Sequence, residues 1–349
     1  MKMNKIFIGL SIAVGVLTSC KNQDISFSDF DYQTVYFANQ YPARTIELGD
    51  DLFVDNTIDN QHKVLIKATT GGVYDNKNNI VIDFKVDESY CNGIYFKSGG
   101  TTGSKLLPMP SNYYQLASNQ ISIPSGSLMG GVEVTLTDAF FADPKSLVNT
   151  YAIPLVMTKV QGADSILQGK PAIDNANPCV DANWTIKPQN FVLYVVKYVN
   201  PWHGNYLRRG GDHITKTSDG SVVNDSVRHN QYLEYNELVK ISTTSLSTVT
   251  LPLSIKRGAQ KVSFNLVLTF ASDGTCTVSG DNPTSFDISG TGKFVSKGEK
   301  NSIGGIDRDG LYLDYSVNLK NYGLKYATKD TMVVRDRAVG PEYYTVEKK

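Results

Sequence analysis

This sequence of 349 residues is poor in the residues that bind metals or form disulfides. It contains four cysteines and four histidines, and no two cysteines stand in a C-x-x-C pair, so we expect no structural zinc site. Cys91, Cys179 and Cys276 are far apart and odd in number, so at most one disulfide could form among them and we expect buried free thiols. The histidines show no H-E-x-x-H or comparable spacing, which argues against a bound metal.

The chain also lacks an excess of charge of either sign. Its 34 Lys and Arg residues are balanced by 34 Asp and Glu residues. Proteins that bind nucleic acid need a basic stripe or patch to neutralise phosphates. We therefore expect no nucleic acid among the partners of this chain.

The motifs of the common enzymes and cofactor sites are missing as well. There is no G-x-S-x-G, and "GTGKF" at 290–294 lacks the surroundings of a phosphate-binding loop. The D-x-x-D-x-D-x-E string of chitinase-type glycosidases is absent. The oxygen-rich loops at 75–79 and 307–310 do not have the spaced ligands of a calcium loop. The sequence therefore predicts neither an enzyme nor a cofactor.

A single apolar run stands out, at the start of the chain. Lys2 and Lys5 precede Ile6 to Leu17, a run as long as a signal-peptide core and too short to cross a bilayer as a helix. The following Leu-Thr-Ser-Cys reads as a lipobox, which predicts a lipoprotein signal peptide over 1–19 and an acylated N-terminus at Cys20. The alternative is cleavage elsewhere, with Cys20 left as an ordinary thiol.

An acylated cysteine would hold the mature chain on a membrane without spanning it. Residues 20–32 are polar and acidic, as expected of a tether. Asp24, Asp29 and Asp31 resemble the acidic export signals that send lipoproteins of Bacteroidetes-type bacteria to the outer face of the outer membrane, although Lys21 comes first. We therefore expect a lipid-anchored protein of the outer membrane that faces the cell exterior.

The mature chain is longer than one hydrophobic core usually serves, which predicts two domains. Over 33–200, apolar residues alternate with polar ones, the period of strands. Ile80, Ile82 and Phe84 fall on one face of such a segment, whereas 191–200 is a nearly continuous apolar run. Only 138–147 is typical of a helical turn. This part of the all-β chain is predicted to form an immunoglobulin-like β-sandwich.

The segment 201–349 is predicted to be the second domain, beginning at Pro201. Several successive strands with hairpin-like spacing follow, for example around 262–270 and 311–319. Such a series predicts an antiparallel, lipocalin-like β-barrel or a second sandwich, and the spacing favours the barrel.

Several segments resemble a known family, above all "YVVKYVNPWHGNYLRRGGD" (194–212) and "DAFFADP" (138–144). They are similar to two-module surface lipoproteins from polysaccharide-utilisation loci of Bacteroidetes, over nearly all of the mature chain. The resemblance implies an anchored, glycan-binding accessory protein that works beside an outer-membrane transporter complex. The N-terminal module of that family also occurs ahead of glycoside hydrolases, but the family offers no catalytic residues to carry over.

Sugar rings pack on exposed aromatic side chains while polar groups bind their hydroxyls. Each candidate ligand-binding residue could instead pack within the protein. Those near the boundary between the two domains could also form hydrogen bonds that fix the domain junction. The candidate ligand-binding residues are Trp184, Trp202, Tyr113, Tyr114, His203 and Tyr206.

Taken together, these features predict a surface lipoprotein that binds a glycan for an uptake system and has no catalytic activity. The alternative is a lipidated adhesin or fimbrial-type subunit. A fimbrial subunit would expose a cleavable N-terminal strand, and the segment from Asp24 to Arg44 could serve as one.

Overall fold

The structure, a computed structural model, describes residues 29–257 and 260–349. Cys20 and the signal peptide predicted before it lie outside the described residues. None of the helices formed by the described residues has the length and hydropathy needed to cross a bilayer. The chain is nearly all β, as predicted.

The first domain holds two short helices, α1 (Thr57–Asn60) and α2 (Asp138–Ala142). Its strands, in chain order, are β1 (Thr34–Tyr36), β2 (Pro42–Glu47), β3 (Lys63–Gly71), β4 (Ile80–Val86), β5 (Ile94–Ser98), β6 (Thr101–Lys105), β7 (Leu107–Pro108), β8 (Tyr114–Leu116), β9 (Gln120–Ile123), β10 (Met129–Leu136), β11 (Tyr151–Gln161), β12 (Ser165–Ile166), β13 (Lys170–Pro171), β14 (Trp184–Ile186) and β15 (Phe191–Val199).

Most of these strands form one large sheet, in the order β12-β1-β3-β10-β9-β4-β11-β15-β2. Its strands together enclose the main core, to which Ile66, Ile82, Val134 and Tyr198 belong. The sheet therefore has the character of the predicted sandwich. Of the segment considered as a removable fimbrial strand, residues 34–36 and 42–44 pair within this sheet, since β1 pairs with β3 and β12 and β2 pairs with β15.

The apolar run at 191–200 becomes β15, and its residues are buried on both faces. Val192 and Val196 point into the main core, while Leu193 and Val195 belong to a second core on the opposite face. A strand covered on both sides reads as a continuous apolar run rather than an alternation. The free thiols of Cys91 and Cys179 also lie in this second core, buried as predicted.

The second domain is a closed antiparallel barrel, which decides between the two predicted architectures. Its strands are β16 (Gly204–Lys216), β17 (Val222–Arg228), β18 (Glu237–Thr243), β19 (Thr248–Arg257), β20 (Gln260–Phe270), β21 (Thr275–Gly280), β22 (Phe286–Glu299), β23 (Arg308–Leu319) and β24 (Leu324–Asp336). Strands β16 and β18 to β24 pair in sequence, and β24 pairs again with β16 along its length. Strand β17 lies outside this ring and pairs with the second half of β16.

The end of the chain returns to the first domain, unlike the prediction that extended the second domain to residue 349. Two further strands, β25 (Glu342–Tyr343) and β26 (Thr345–Lys348), pair with β2 and β5. Between them, the Tyr344 side chain is buried in the second core and its hydroxyl donates to the carbonyl of Leu193 at 2.6 Å. The tail thus completes the first domain because it supplies both backbone pairing and core surface.

Candidate functional site

The end of the barrel next to the first domain is filled with apolar side chains. Tyr206, Ile241, Leu268 and Met332 occupy this half, close to the strand ends that adjoin the junction. Toward the other end lies a cavity of about 620 Å³. A barrel of eight strands encloses enough space either to be filled by side chains or to hold one small ligand. In this barrel, side chains fill the end next to the first domain, and the cavity lies toward the other end.

The part of the cavity that we call its floor contains Arg208 of β16, which forms an ion pair with the fully buried Asp330 of β24. The Arg208 Nε donates to Asp330 Oδ2 at 2.9 Å, and the Tyr315 hydroxyl donates to the same oxygen at 2.9 Å. The Arg208 Nη1 reaches the carboxylate of Glu237, also at 2.9 Å. The Asp330 side chain has no exposed surface, so these donors replace the water it has lost.

A second guanidinium extends the network along the cavity wall. Arg228 of β17 donates to Asp330 Oδ1 at 2.8 Å and also binds the carboxylate of Asp212. Asp212 accepts two further hydrogen bonds, from the hydroxyls of Thr328 at 2.8 Å and Ser226 at 3.0 Å. The Arg228 Nε is buried and has no hydrogen-bond partner among the described residues. It is therefore a donor that a ligand oxygen could satisfy.

The electrostatics keep these groups in the forms that the hydrogen bonds require. Burial, together with the Asp330 carboxylate, raises the pKa of the Tyr315 hydroxyl, so Tyr315 remains a donor. Burial opposes the charge of Arg208, but Tyr315, Asp330 and Glu237 outweigh it and hold the pKa above its usual value. Arg228 also has a raised pKa, because Asp330 and Asp212 outweigh burial and the nearby Arg208.

Gly210 of β16 makes room for this arrangement. It lies between Arg208 and Asp212 on the lumen side and pairs with Asp330. A Cβ at this position would lie 2.1 Å from the carbonyl oxygen of Lys329 and 2.4 Å from Asp330 Oδ1. A side chain would therefore displace the carboxylate that pairs with Arg208.

The walls of the cavity mix aromatic and amide side chains. Phe264 and Tyr326 contribute to one part of the lining, and Asn224, Asn230 and Asn236 contribute to another. Aromatic faces combined with a few placed polar groups are typical of small-molecule sites, whose volumes run from roughly 300 to 1,000 Å³.

Two exposed tyrosines lie in the loop that bounds the cavity between β17 and β18. Tyr232 is 56% exposed and Tyr235 is 73% exposed. Their rings meet edge to face, with centroids 5.7 Å apart. Asn230 donates to the carbonyl of Tyr235 at 2.6 Å, and Asn230 itself lines the cavity. We call this loop, of which Asn230 and Asn236 line the cavity, the lip; the two tyrosine rings are exposed on it and are not among the lining residues.

Trp202, His203 and Tyr206 lie together at the junction, at the end of the barrel opposite the cavity. The Trp202 ring stacks on Phe270 with centroids 4.0 Å apart, and the Tyr206 hydroxyl donates to the Trp202 carbonyl at 2.9 Å. Burial lowers the pKa of His203 to about 4, and its Nδ1 accepts a hydrogen bond from the backbone of Thr243 at 3.2 Å. Their positions are those of packing and junction residues.

Trp184, Tyr113 and Tyr114 lie in the first domain, so the structure does not bring them to the barrel cavity. The indole of Trp184 donates to the Asn177 carbonyl at 2.7 Å. Tyr113 and Tyr114 pack against the main core, and the Tyr113 hydroxyl donates to Asp143 at 3.1 Å. Ligand binding by these three residues stays a prediction.

Sequence reasoning missed most of the cavity residues. The segment "GNYLRRGGD" at 204–212, which belongs to the stretch that carries the family resemblance, supplies Arg208 and Asp212. Its partners Arg228, Tyr315 and Asp330 come from other strands. Their signal was a charged or hydroxyl-bearing residue at a position where the alternation predicts an inward side chain. Within the described ranges, no group of three or more His, Cys, Asp or Glu side chains could hold a metal ion.

Two domain-family models match the chain. The model described as a domain of unknown function, DUF5627, matches residues 201–338. A second model, described as an N-terminal domain, matches residues 30–164. No curated protein matches the chain.

Among solved structures, a protein of unknown function from Bacteroides ovatus is 56% identical, with a TM-score of 0.84, covering 92% of this chain and 100% of that chain. A multidomain protein including DUF1735, also from Bacteroides ovatus, is 12% identical over 88% of this chain and 97% of its own, with a TM-score of 0.39. A protein from Bacteroides thetaiotaomicron described as an auxiliary nutrient binding protein is 11% identical over 84% and 90%, with a TM-score of 0.34. Neither of these last two likenesses bears on what this chain binds.

Proposed function

This chain belongs to the same family of two-module Bacteroides proteins as the 56% identical protein of unknown function, and we propose that it binds a glycan at the cell surface. The observation that carries the proposal is the half-filled barrel, whose cavity combines a hydrogen-bonding floor with exposed tyrosines at its lip. Sugars present hydroxyls to polar groups and C–H faces to aromatic rings. The site therefore offers both kinds of contact that a sugar uses.

In this proposal, Cys20 carries a lipid anchor that holds the protein on the outer face of the outer membrane. The two domains stand on the acidic tether, and the bound glycan passes to an outer-membrane transporter complex encoded in the same locus. A polysaccharide too large for the pores of the outer membrane can be captured only from outside. Surface exposure is therefore part of the proposed function.

The proposal includes binding without turnover. A glycosidase needs one carboxyl group that donates a proton and a second that acts as base or nucleophile. Asp212, Glu237 and Asp330 each accept hydrogen bonds from guanidinium groups. These carboxylates are arranged as acceptors, which favours recognition over acid catalysis.

The test is binding of the purified chain to an array of plant and host glycans, followed by titration calorimetry of the hits. Removing both lip rings in a Tyr232→Ala, Tyr235→Ala double variant should weaken binding roughly 2- to 12-fold per ring, the value of an aromatic contact beyond its area. Tyr74→Ala is the matched control, because Tyr74 is similarly exposed but lies in the first domain. Both sets of changes lie on the surface, so folding should be unaffected.

Binding to no glycan on the array would overturn the proposal, and so would equal binding by the double variant. Release of new reducing ends from the bound glycan would show that the protein hydrolyses the glycan and does not merely bind it. Ladders of oligomers on a native gel after trypsin treatment would favour the fimbrial-type subunit instead.

A further inference from the structure

We propose that the barrel wall has a lateral slot between β17 and β19, through which the cavity binds an internal segment of a linear glycan chain. This inference rests on the proposed function, because it names the part of a glycan that the same cavity takes. The strand pairing, the residues that line the cavity and the position of the exposed tyrosines each support it.

The slot arises because β16 changes its partner along its length. Residues 204–208 of β16 pair with β18, which in turn pairs with β19, so the wall is continuous at the end next to the first domain. Residues 210–215 of β16 pair with β17 instead. At the cavity end, β17 therefore takes the place of β18 as the neighbour of β16.

Strands β17 and β19 do not pair with each other, so the wall is interrupted between them. Among the strands that the structure describes, β17 pairs with β16 alone. Strand β19 pairs with β20 along its whole length, but with β18 only through Val249 and Thr250. In an antiparallel strand, backbone groups are directed to both edges. The segment 251–257 of β19 therefore has backbone groups that point away from β20, with no described strand beside them.

The residues that line the cavity show that both of these edges border it. A strand that faces a cavity with one side contributes every second residue, as β24 does with Tyr326 and Thr328. By contrast, β19 contributes the consecutive residues 253–256, and β17 with the loop after it contributes the consecutive residues 226–230. Consecutive residues line a space when the edge of the strand borders it. The cavity therefore opens sideways, between β17 and β19.

A side opening decides which part of a glycan can enter. A chain cannot pass lengthwise through the barrel, because core side chains such as Leu251 and Leu268 fill the end next to the first domain. An internal segment must therefore enter and leave on the same side, and the slot gives it that path. Unpaired backbone N–H and C=O groups along the slot can donate to and accept from sugar hydroxyls. The buried Arg228 Nε, which lacks a partner among the described residues, is a further donor.

The exposed tyrosines of the lip fit a chain that continues beyond the cavity. Tyr232 and Tyr235 belong to the loop that joins β17 to β18, and neither lines the cavity. A sugar confined to the cavity would leave both rings exposed to water. A chain that leaves through the slot can pack its next sugar rings on them. One segment of the chain thus occupies the cavity and the adjoining segment occupies the lip.

The test uses linear hexasaccharides with free or blocked ends, namely cellohexaose, maltohexaose, mannohexaose and galactohexaose. The blocked forms carry a benzylidene acetal on the non-reducing sugar and an aminobenzamide group at the reducing end. Calorimetry of the full mature chain should show that a hexasaccharide that binds keeps its affinity within about threefold when both ends are blocked. The matching disaccharide should bind at least tenfold more weakly, because it cannot reach both the cavity and the lip.

The slot itself is tested with Ser254→Leu, which places a bulky side chain at the β19 edge and should weaken hexasaccharide binding at least fivefold. The matched control is Ser263→Leu. Ser263 pairs with Ser254 across β19 and β20, so both side chains lie on the same face of the sheet, but Ser263 does not line the cavity. This face lies opposite the core residues Leu253 and Phe264, so both variants should fold, and thermal melting checks that they do.

A loss of more than about threefold on blocking the ends would overturn the inference, since the cavity would then recognise the terminus of a chain, and glycan binding would stand. Unchanged affinity in Ser254→Leu, or equal losses in both variants, would also overturn it. Binding confined to monosaccharides or branched termini on the array would do the same. If no oligosaccharide binds, the inference falls together with the proposed function.

Discussion

Arg337, the residue that follows β24, provides the most direct test of how the two domains are joined. Its Nε donates to the carbonyl of His203 at 2.8 Å. Its two Nη atoms donate to the carbonyls of Asp50 and Leu48, both at 2.9 Å, and of Asn200 at 2.8 Å. One buried guanidinium therefore satisfies four backbone carbonyls from both sides of the junction.

The loss of stability expected for Arg337→Met follows from the groups that the substitution would leave without a partner. Methionine fills a similar space but offers no donors, so the carbonyls lose their partner and the Glu47 carboxylate, 3.6 Å away, loses its counter-ion. Arg337 and Glu47 are only 6% and 4% exposed in their side chains, so water cannot readily replace the donors. Breaking a buried charge pair by removing one partner costs about 3–5 kcal/mol, and we expect a destabilisation of that size.

The assays are calorimetry and urea unfolding, the latter monitored with two different probes. Two probes are needed because a two-domain chain need not unfold in one step. We expect Arg337→Met to separate the barrel transition from that of the first domain. Arg335→Met is the control, since Arg335 is 51% exposed and forms its ion pair with the adjacent Asp336 at 3.3 Å. That control should stay within about 0.5 kcal/mol of the parent. A loss below about 1 kcal/mol for Arg337→Met would refute the reasoning, because other contacts would then hold the junction.

Three further predictions follow. Burial, opposed by Arg337, raises the pKa of Glu47 from 4.5 to about 7. The folded chain therefore binds this proton more tightly than the unfolded chain does. The free energy of unfolding should then fall by up to about 3 kcal/mol as pH rises from about 4.5 to 7. Urea titrations at several pH values should show this loss in the parent and not in Glu47→Gln. Deleting residues 339–349 removes β25, β26 and the buried Tyr344 ring, so calorimetry should show a lower melting temperature for the first domain and little change for the barrel. A Cys20→Ala variant should appear in the soluble fraction on membrane fractionation, since acyl chains supply about 0.8 kcal/mol per buried CH₂.

The strands of both domains were predictable from the sequence because one-sided burial imposes a period of two. Ile80, Ile82 and Phe84 are buried on β4 as that period requires. The same holds on β20, where Phe264, Leu266 and Leu268 face the barrel core. These patterns depend only on neighbours along the chain and on the face that each strand buries.

The cavity floor and the return of the tail could not be predicted in the same way. Arg208 and Asp330 are separated by 122 positions, and the closure of the barrel between β16 and β24 brings them together. The tail strands Glu342–Tyr343 and Thr345–Lys348 are short, and their pairing depends on an open strand edge in a distant domain. Tertiary pairing of this kind leaves no periodic signal in the local sequence.

The charged layer in the middle of the barrel is better explained by the cavity than by stability. Replacing a buried ion pair with well-packed apolar side chains is often neutral or stabilising, and the half of the barrel next to the first domain is already filled in that way. If holding the barrel together were the only requirement, Leu and Phe could occupy the positions of Arg208, Arg228 and Asp330 as well. Charged and hydroxyl groups at this level instead give the cavity a floor that forms hydrogen bonds. The layer therefore fits the recognition surface that we propose, and the hydrogen bonds and ion pairs within it offset its cost in desolvation.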